Sequence, residues 1–462
     1  MLKMQGQPAL RTRDVLRFWL PLGATWLMMS AEGPYVAAIV ARMHDAALNL
    51  AAYGVAFALA WLGESPIMML LTTSNRLVHD RASLVAVRRF MRTLITALTL
   101  LMLVVVAPPV YHVLTARALE LPAGVATLLY PAMLILVPWP AAIGYRRFYQ
   151  GILVRHKHPR RVAYGTIIRL SAMSVTGATL ALLTSLHGAT VGASALVAGV
   201  LAEAVAARWM ARYVVATLLA APVAPDFLVP AAGNATPALS QRDIARFYYP
   251  LALTSVISMV TGPLLTFFMG RGRSPIESLA VLPVVQNLVF LFRGGGVAYQ
   301  EVAVALSGPA GEHEREVERA AFLLATGASL ALAMLVLTPL AGAWFGGVAG
   351  LSPALATFAG VPAALLVLMP ATEYWTAVQR SRFILNGRTR VVTGSMAVEV
   401  SALAFILWLC IARLDVVGAI AASLALQGGK LASNGVLLLV SRPRGVAVPL
   451  EIGSMDSTQP QQ

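Results

Sequence analysis

Twelve apolar stretches, each about twenty residues or longer, follow one another through this chain. They lie near 15–40, 48–74, 91–115, 122–145, 161–185, 190–212, 244–269, 277–306, 320–344, 353–379, 391–412 and 416–440. A helix needs roughly 20 mostly apolar residues to cross the hydrocarbon core of a bilayer, so each stretch reads as one span. Composition agrees: 12% of the 462 residues are charged and 58% hydrophobic, against about a quarter charged in a soluble domain. The expected fold class is an all-α polytopic membrane protein with twelve transmembrane helices, and its first partner is the lipid bilayer. The N-terminal stretch begins basic and turns apolar, as a signal peptide does, but the apolar run continues to about Val40. That is too long for a cleaved hydrophobic region, so it reads as an uncleaved first span.

The formal charge of +15 raises nucleic acid as a partner, and the location of the charges removes it. With the N-terminus in the cytoplasm and loops assigned alternately, 27 of the 35 Lys/Arg fall on the cytoplasmic side. They include Arg76, Arg81, Arg88, Arg89, Arg92, Arg146, Arg147, Arg155, Lys157, Arg160 and Arg161. The opposite side receives only Arg42, Arg117, Arg271, Arg273 and Arg413. Such asymmetry orients membrane proteins, so the basic excess is topogenic and both termini are expected in the cytoplasm.

The second half repeats the first. "RFWLPLGATWLMMSAEGPYVAAIVAR" (17–42) aligns without a gap on "RFYYPLALTSVISMVTGPLLTFFMGR" (246–271), and Gly188 matches Gly418 later in each half. The organisation expected is an N-terminal six-helix bundle over 1–220, a linker over 221–243, a C-terminal six-helix bundle over 244–445 and a tail over 446–462. In the linker, Ser240 with Asp243 forms a capping signal for the seventh span. Two parallel repeats about an axis along the membrane normal are a transporter plan, with substrate bound near mid-membrane between the halves.

Charges inside spans cost a few kcal/mol each on insertion scales and mark candidate sites. By these boundaries three bases (Arg169, Arg293, Lys430) and six acids (Glu32, Glu64, Glu203, Glu301, Glu373, Glu399) are intramembrane. Glu32 precedes Gly33 and Pro34, and a proline frees backbone carbonyls. It is a candidate proton or sodium coupling site, or a neutral acid bonded to a neighbouring helix. Glu64 in "WLGESP" has Arg293 as its repeat counterpart, so Arg293 is expected either to meet Glu64, as a gate or as a static pair, or to face the cargo. Lys430 attracts an anion or neutralises a glutamate. Glu373, Glu301, Gln286 and Asn287 are expected to line the C-terminal half of the cavity. Arg169, Glu203 and Glu399 read as architectural. Helix breaks are expected at Pro34, Pro66, Pro263 and the run Gly294, Gly295, Gly296, because glycine loosens a helix.

Enzyme chemistry finds no foothold: no nucleophile elbow, phosphate loop or carboxylate dyad is present, and no cofactor is called for. The seven histidines fall in loops or at span ends without metal-ligand spacing, and Cys410 is the single cysteine, which excludes an internal disulfide or a cysteine metal cluster. "RHKHPRR" reads as a loop at the lipid headgroups, and "EHEREVERA" as a solvated helix start.

"LPLGATW…EGP", "AAYGVAFALAWLGESP", "GILVRHKH" and "YPLAL" resemble the progressive ankylosis protein family. That family lies within the multidrug/oligosaccharidyl-lipid/polysaccharide (MOP) exporter superfamily, which has a MATE-like fold. The resemblance covers most of the chain and is most specific over Ala51–Pro66 and at Gly151, Ile152, Leu153, His156 and Lys157. It implies two six-helix bundles and export of small polyanions such as pyrophosphate, nucleotides and citrate, which animal members are associated with. The Ala/Arg-rich composition resembles a bacterial member, which implies the inner membrane. Two departures touch the cargo region. The animal proteins carry the first-span acid one position later, where this chain has Gly33, so Glu32 is turned by about 100° around the helix. They also carry polar and basic residues where the seventh span here reads "TSVISMVTGP".

The function expected is therefore a secondary-active transporter, an exporter of small organic or phosphorylated anions working by alternating access. A cation-coupled multidrug antiporter using Glu32 and a lipid-linked oligosaccharide flippase are the alternatives. A monomer suffices for this plan.

Overall fold

A computed structural model describes residues 10–156, 158–220, 240–307, 313–386 and 388–441. Most of the expected linker, the tail over 446–462, Lys157 and Glu312 lie outside the described residues. Among the described residues the helices group into twelve spans. Span 1 is Thr12–Ser30 and Glu32–Ala41, span 2 Ala46–Glu64 and Leu70–Leu77, and span 3 Arg81–Val106. Span 4 is Ala123–Leu136 and Trp139–Arg155, span 5 Pro159–Leu183, and span 6 Gly188–Met210. The second half follows suit. Span 7 is Gln241–Met259 and Thr261–Arg271, span 8 Pro275–Leu306, and span 9 Glu314–Val336. Span 10 is Pro353–Leu365 and Met369–Leu385, span 11 Thr389–Trp408, and span 12 Gly418–Ser441. Among the described residues, nine of the helical stretches are long and apolar enough to cross a membrane on length and composition alone. Spans 1, 7 and 12 are not among the nine, and span 12 carries "LQGGKLASN".

The interruptions follow from proline. A proline ring collides with the carbonyl four residues back and lacks the N–H that would bond to it. Pro34 lies four residues after Ser30, where the first piece of span 1 ends, and Pro263 lies four residues after Met259, where the first piece of span 7 ends. Each proline then sits in the first turn of the next piece, where its missing donor costs nothing. Pro66 sits in a single 3-10 turn, Ser65–Ile67, that divides span 2. The glycines 294–296 behave otherwise: span 8 runs unbroken over 32 residues, so the break expected there is corrected to a continuous helix.

The duplication extends to single hydrogen bonds. Asn49 Oδ1 accepts from the Ala189 N–H at the start of span 6, 2.9 Å, and Ser278 Oγ accepts from the Ala419 N–H at the start of span 12, 3.0 Å. Spans 3 and 9 are each followed by a π-helical turn, Val113–Ala118 and Ala343–Val348. A left-handed residue then comes two positions later, Glu120 at φ 50° and Gly350 at φ 74°. The capping signal at Ser240 is used, its Oγ accepting from the Asp243 N–H at 3.2 Å.

The cytoplasm-expected halves of spans 1 and 7 cross between the bundles. The first piece of span 1, grouped by sequence with 1–220, lies instead against spans 8 and 9: Trp19 Nε1 donates to the Gly295 carbonyl at 3.0 Å, and the Thr12 hydroxyl donates to Glu316. Reciprocally, the first piece of span 7 reaches the N-terminal bundle. Gln241 Nε2 donates to the Ala86 carbonyl at 2.9 Å, and the Tyr248 hydroxyl donates to the Pro66 carbonyl. Between them spans 2 and 8 meet tightly, where Gly54 leaves room for the Pro283 ring.

Candidate functional site in two buried ion networks

Each bundle buries a base between two acids. In the N-terminal bundle the base is Arg169 of span 5. Its guanidinium pairs with Glu32, at the break of span 1, and lies 3.4 Å from Glu203 of span 6. Glu203 is 1% exposed. It also accepts from Arg146 and, at 2.9 Å, from Gln150 Nε2, both on span 4. In the C-terminal bundle the base is Lys430 of span 12. Its Nζ lies 3.3 Å from Glu373 of span 10 and 3.1 Å from Glu399 of span 11. Arg293 of span 8 takes Glu373 at 3.2 Å, and Arg380 takes Glu399 at 3.3 Å.

The backbone reason is the same in both halves while the charge is reversed. Gly199 lets span 6 close on the Arg169 carbonyl, where a Cβ would stand 3.0 Å away; Gly429 does the same for span 12 at the Glu399 carbonyl, at 2.8 Å. A duplicated small-residue notch thus presents a base from span 5 and an acid from span 11. Lys430 lies twelve residues past Gly418, about 18 Å along the helix at 1.5 Å per residue, which is the middle of this 24-residue helix.

The glycines of span 8 are notches too. Gly294 faces Trp26, Gly295 faces the Tyr374 hydroxyl and the Trp19 ring, and Gly296 faces the Tyr374 backbone and Glu373. They bring span 1 and span 10 onto span 8 and set Arg293 within reach of Glu373. Beside this contact is a cavity of about 190 Å³ lined by Trp26, Gln300, Glu301, Glu373, Thr376 and Arg380, among others. Asn287 packs against Gly33 of span 1, and Gln286 is not among the lining residues of this cavity.

Two expectations change. Glu64 and Arg293 do not meet: Glu64 is 5% exposed and accepts from Trp139 Nε1 at 2.7 Å within its own bundle, while Arg293 pairs with Glu373. Equivalent positions in two repeats need not touch once span 8 has closer acids. The intramembrane charge is also not the net negative read from linear boundaries. Arg146 and Arg147, counted as cytoplasmic, lie inside Trp139–Arg155, and Arg380 lies inside Met369–Leu385. Arg146 is buried on Glu203, Arg147 touches the Met68 sulfur at 3.3 Å, and Arg380 is turned to Glu399. With Arg146 and Arg380, the two networks hold five bases (Arg146, Arg169, Arg293, Arg380, Lys430) against four acids (Glu32, Glu203, Glu373, Glu399). A usable signal was present: Arg146 and Gln150 are four residues apart, on one face of a helix, and both reach Glu203.

No protein-family model matches the chain, and no curated protein does. Solved structures match over nearly its whole length. An inward-facing multidrug resistance MATE family transporter of the MOP superfamily is 14% identical, covering 90% of this chain and 93% of its own, with a TM-score of 0.68. The lipid II flippase MurJ, in an inward closed conformation, is 11% identical over 91% of this chain and 87% of its own, TM-score 0.65. A MOP superfamily transporter from Pyrococcus furiosus, described by the reverse polarity of its binding pocket, is 13% identical over 93% and 95%, TM-score 0.59. The chain has the twelve-helix, two-bundle fold of these transporters.

Proposed function

We propose that the chain is a secondary-active transporter of the inner membrane, with both termini in the cytoplasm, moving a small organic or phosphorylated anion outward by alternating access. One observation carries the anion: Glu373 is shared by two cations, and the Arg293 side chain is the more accessible of them, 30% exposed against 7% for Lys430. Removing one partner from a buried ion pair ordinarily strands a charge at high cost. Here Lys430 still holds Glu373 when Arg293 turns to an incoming carboxylate or phosphate, so the exchange is cheap. The planar guanidinium suits such groups through two parallel hydrogen bonds, and the cavity beside Glu373, lined by Arg380 rather than by Arg293, adds Trp26 as an apolar wall and Gln300 as a polar contact. The resemblance to the progressive ankylosis family supports the same cargo class, with citrate and pyrophosphate as its first members to try.

Glu32 supports coupling to protons or sodium. Its partner Arg169 is also in reach of Glu203, which Arg146 and Gln150 hold independently. Neutralising Glu32 therefore leaves Arg169 with a second carboxylate. Purified protein in liposomes, loaded with radiolabelled citrate or pyrophosphate, is expected to release label faster than empty-membrane controls, and Arg293→Ala to abolish the difference. Release equal to that of protein-free vesicles for both anions rules out this cargo class.

A further inference from the structure

We infer that Arg42 and Arg271 are paired latches that hold the two bundles together at the membrane face opposite the basic one, and that both let go before that face opens. The two arginines are repeat counterparts, closing the aligned segments 17–42 and 246–271. Each belongs to one bundle and grips the other. Arg42, at the end of span 1, donates from Nη2 to the carbonyls of Gly347 and Val348, 2.6 and 2.9 Å. Those are the last two residues of the π-helical turn after span 9. Arg271, at the end of span 7, donates from Nη1 to the Ala118 carbonyl at 3.2 Å and from Nη2 to Glu120 Oε1 at 2.7 Å. Ala118 is the last residue of the π-helical turn after span 3.

The chemistry is that of a helix C-terminus, where unpaired carbonyls concentrate negative potential and attract a cation. Both arginines are also braced on their own helix: Arg42 Nη1 donates to the Ala38 carbonyl at 2.7 Å, and Arg271 Nη1 to the Phe267 carbonyl at 3.2 Å over the Phe267 ring. Space for each latch is built in. A Cβ on Gly350, already at positive φ, would stand 2.8 Å from Arg42 Nη1, and one on Gly270 would stand 2.7 Å from the Leu119 carbonyl. The latches differ in one respect: where the Arg271 side has the carboxylate of Glu120, the Arg42 side has Gly350. Two caps related by the internal twofold release together if the bundles rock as rigid bodies.

This inference rests on the alternating-access reading above, and its test reads bundle separation without any transport. In a Cys410→Ser background, spin labels are placed at His44→Cys and Ala354→Cys, exposed positions of opposite bundles on this face, and distances are measured by pulsed electron paramagnetic resonance in nanodiscs. The parent protein is expected to show a single short separation. Arg42→Ala with Arg271→Ala is expected to raise the ratio of wide to narrow separations about tenfold, the order of one net charge-assisted hydrogen bond once partial exposure is discounted. Arg273→Ala serves as control, because the partner of Arg273, Asp415 at 3.8 Å, is in the same bundle; it is expected to leave the distribution unchanged. A double variant that overlays the parent, or a control that widens as much as the double variant, overturns the inference. Should the double variant not fold, Arg42→Lys and Arg271→Lys, which keep the charge but lose the planar fork, carry the same two outcomes.

Discussion

Lys430 Nζ and Glu373 Oε2 stand 3.3 Å apart between spans 12 and 10, both nearly buried, and the same ammonium lies 3.1 Å from Glu399. One base thus serves two acids, each of which also has an arginine of its own.

Lys430→Met is accordingly expected to destabilise the protein by about 2 kcal/mol. That is below the roughly 3–5 kcal/mol for breaking an isolated buried pair, because Arg293 and Arg380 remain. Thermal unfolding in detergent, followed by tryptophan fluorescence, measures it. A midpoint equal to the parent's excludes Lys430 as a shared partner.

Glu203 has no such redundancy. Its loss strands Arg146 and Gln150 together, and Glu203→Ala is expected to cost the full 3–5 kcal/mol or so of a broken buried pair and to reduce the folded yield sharply. Glu203→Gln, which retains an acceptor, falls between. The monodisperse fraction on size exclusion reads the order, and equal yields for the two variants contradict it.

Glu32→Gln separates coupling from packing. Glu32 lies at the edge of its network, so the unfolding midpoint is expected to move by less than about 1 kcal/mol equivalent, since Glu203 keeps Arg169 paired. Anion flux driven by an imposed proton or sodium gradient is expected to fall to the ungraded rate. Coupled flux that persists in the variant assigns Glu32 to packing alone.

The glycines of span 8 give a test by sign. Were Gly295 a hinge, Gly295→Ala would stabilise by reducing the freedom of the unfolded chain, by about 0.4–1 kcal/mol. As a notch under Trp19 and Tyr374, it is expected to lose about 1–3 kcal/mol from overpacking. A raised midpoint in Gly295→Ala restores the hinge.

Asp80 lies outside the spans, just before the third. Asp80 caps span 3: its Oδ1 accepts from the Ser83 N–H and the Ser83 hydroxyl, both at 2.7 Å. These bonds, the hydroxyl's foremost, hold its carboxyl below the ordinary range. Because the folded value is lower than the unfolded one, the cap's contribution is complete above about pH 4 and fades as pH falls through the folded value. Asp80→Ala is expected to cost about 1 kcal/mol at neutral pH. The difference from the parent should shrink below about pH 4, and a difference that grows on acidification contradicts this assignment.

The spans and the duplication were legible because each is a local or periodic property: apolar length, and self-similarity at a fixed offset. Pro34 and Pro263 announced their breaks for the same reason, since a proline acts on the carbonyl four residues back. Gly294–Gly296 misled because glycine's effect depends on what approaches it, and Trp19, Trp26 and Tyr374 come from spans 1 and 10. Arg146 and Arg380 were misplaced because a base near the end of an apolar run reads as a loop residue until an acid is found facing it, and Arg147 because its contact is the Met68 sulfur, far back in the chain. For Arg146 that acid is 57 residues further along, in span 6.

What the sequence alone determined, then, is the number of helices, their twofold repetition and the expected basic face. The tertiary structure decided which charge answers which. It set Glu373 rather than Glu64 against Arg293, and it put a base and an acid at the duplicated notches of spans 5 and 11. The physical reason is range. Hydrophobic length and proline sterics act within one helix, whereas an ion pair in a low-dielectric interior is fixed by distances of 3–4 Å or so, which only the packing of helices far apart in the chain can set.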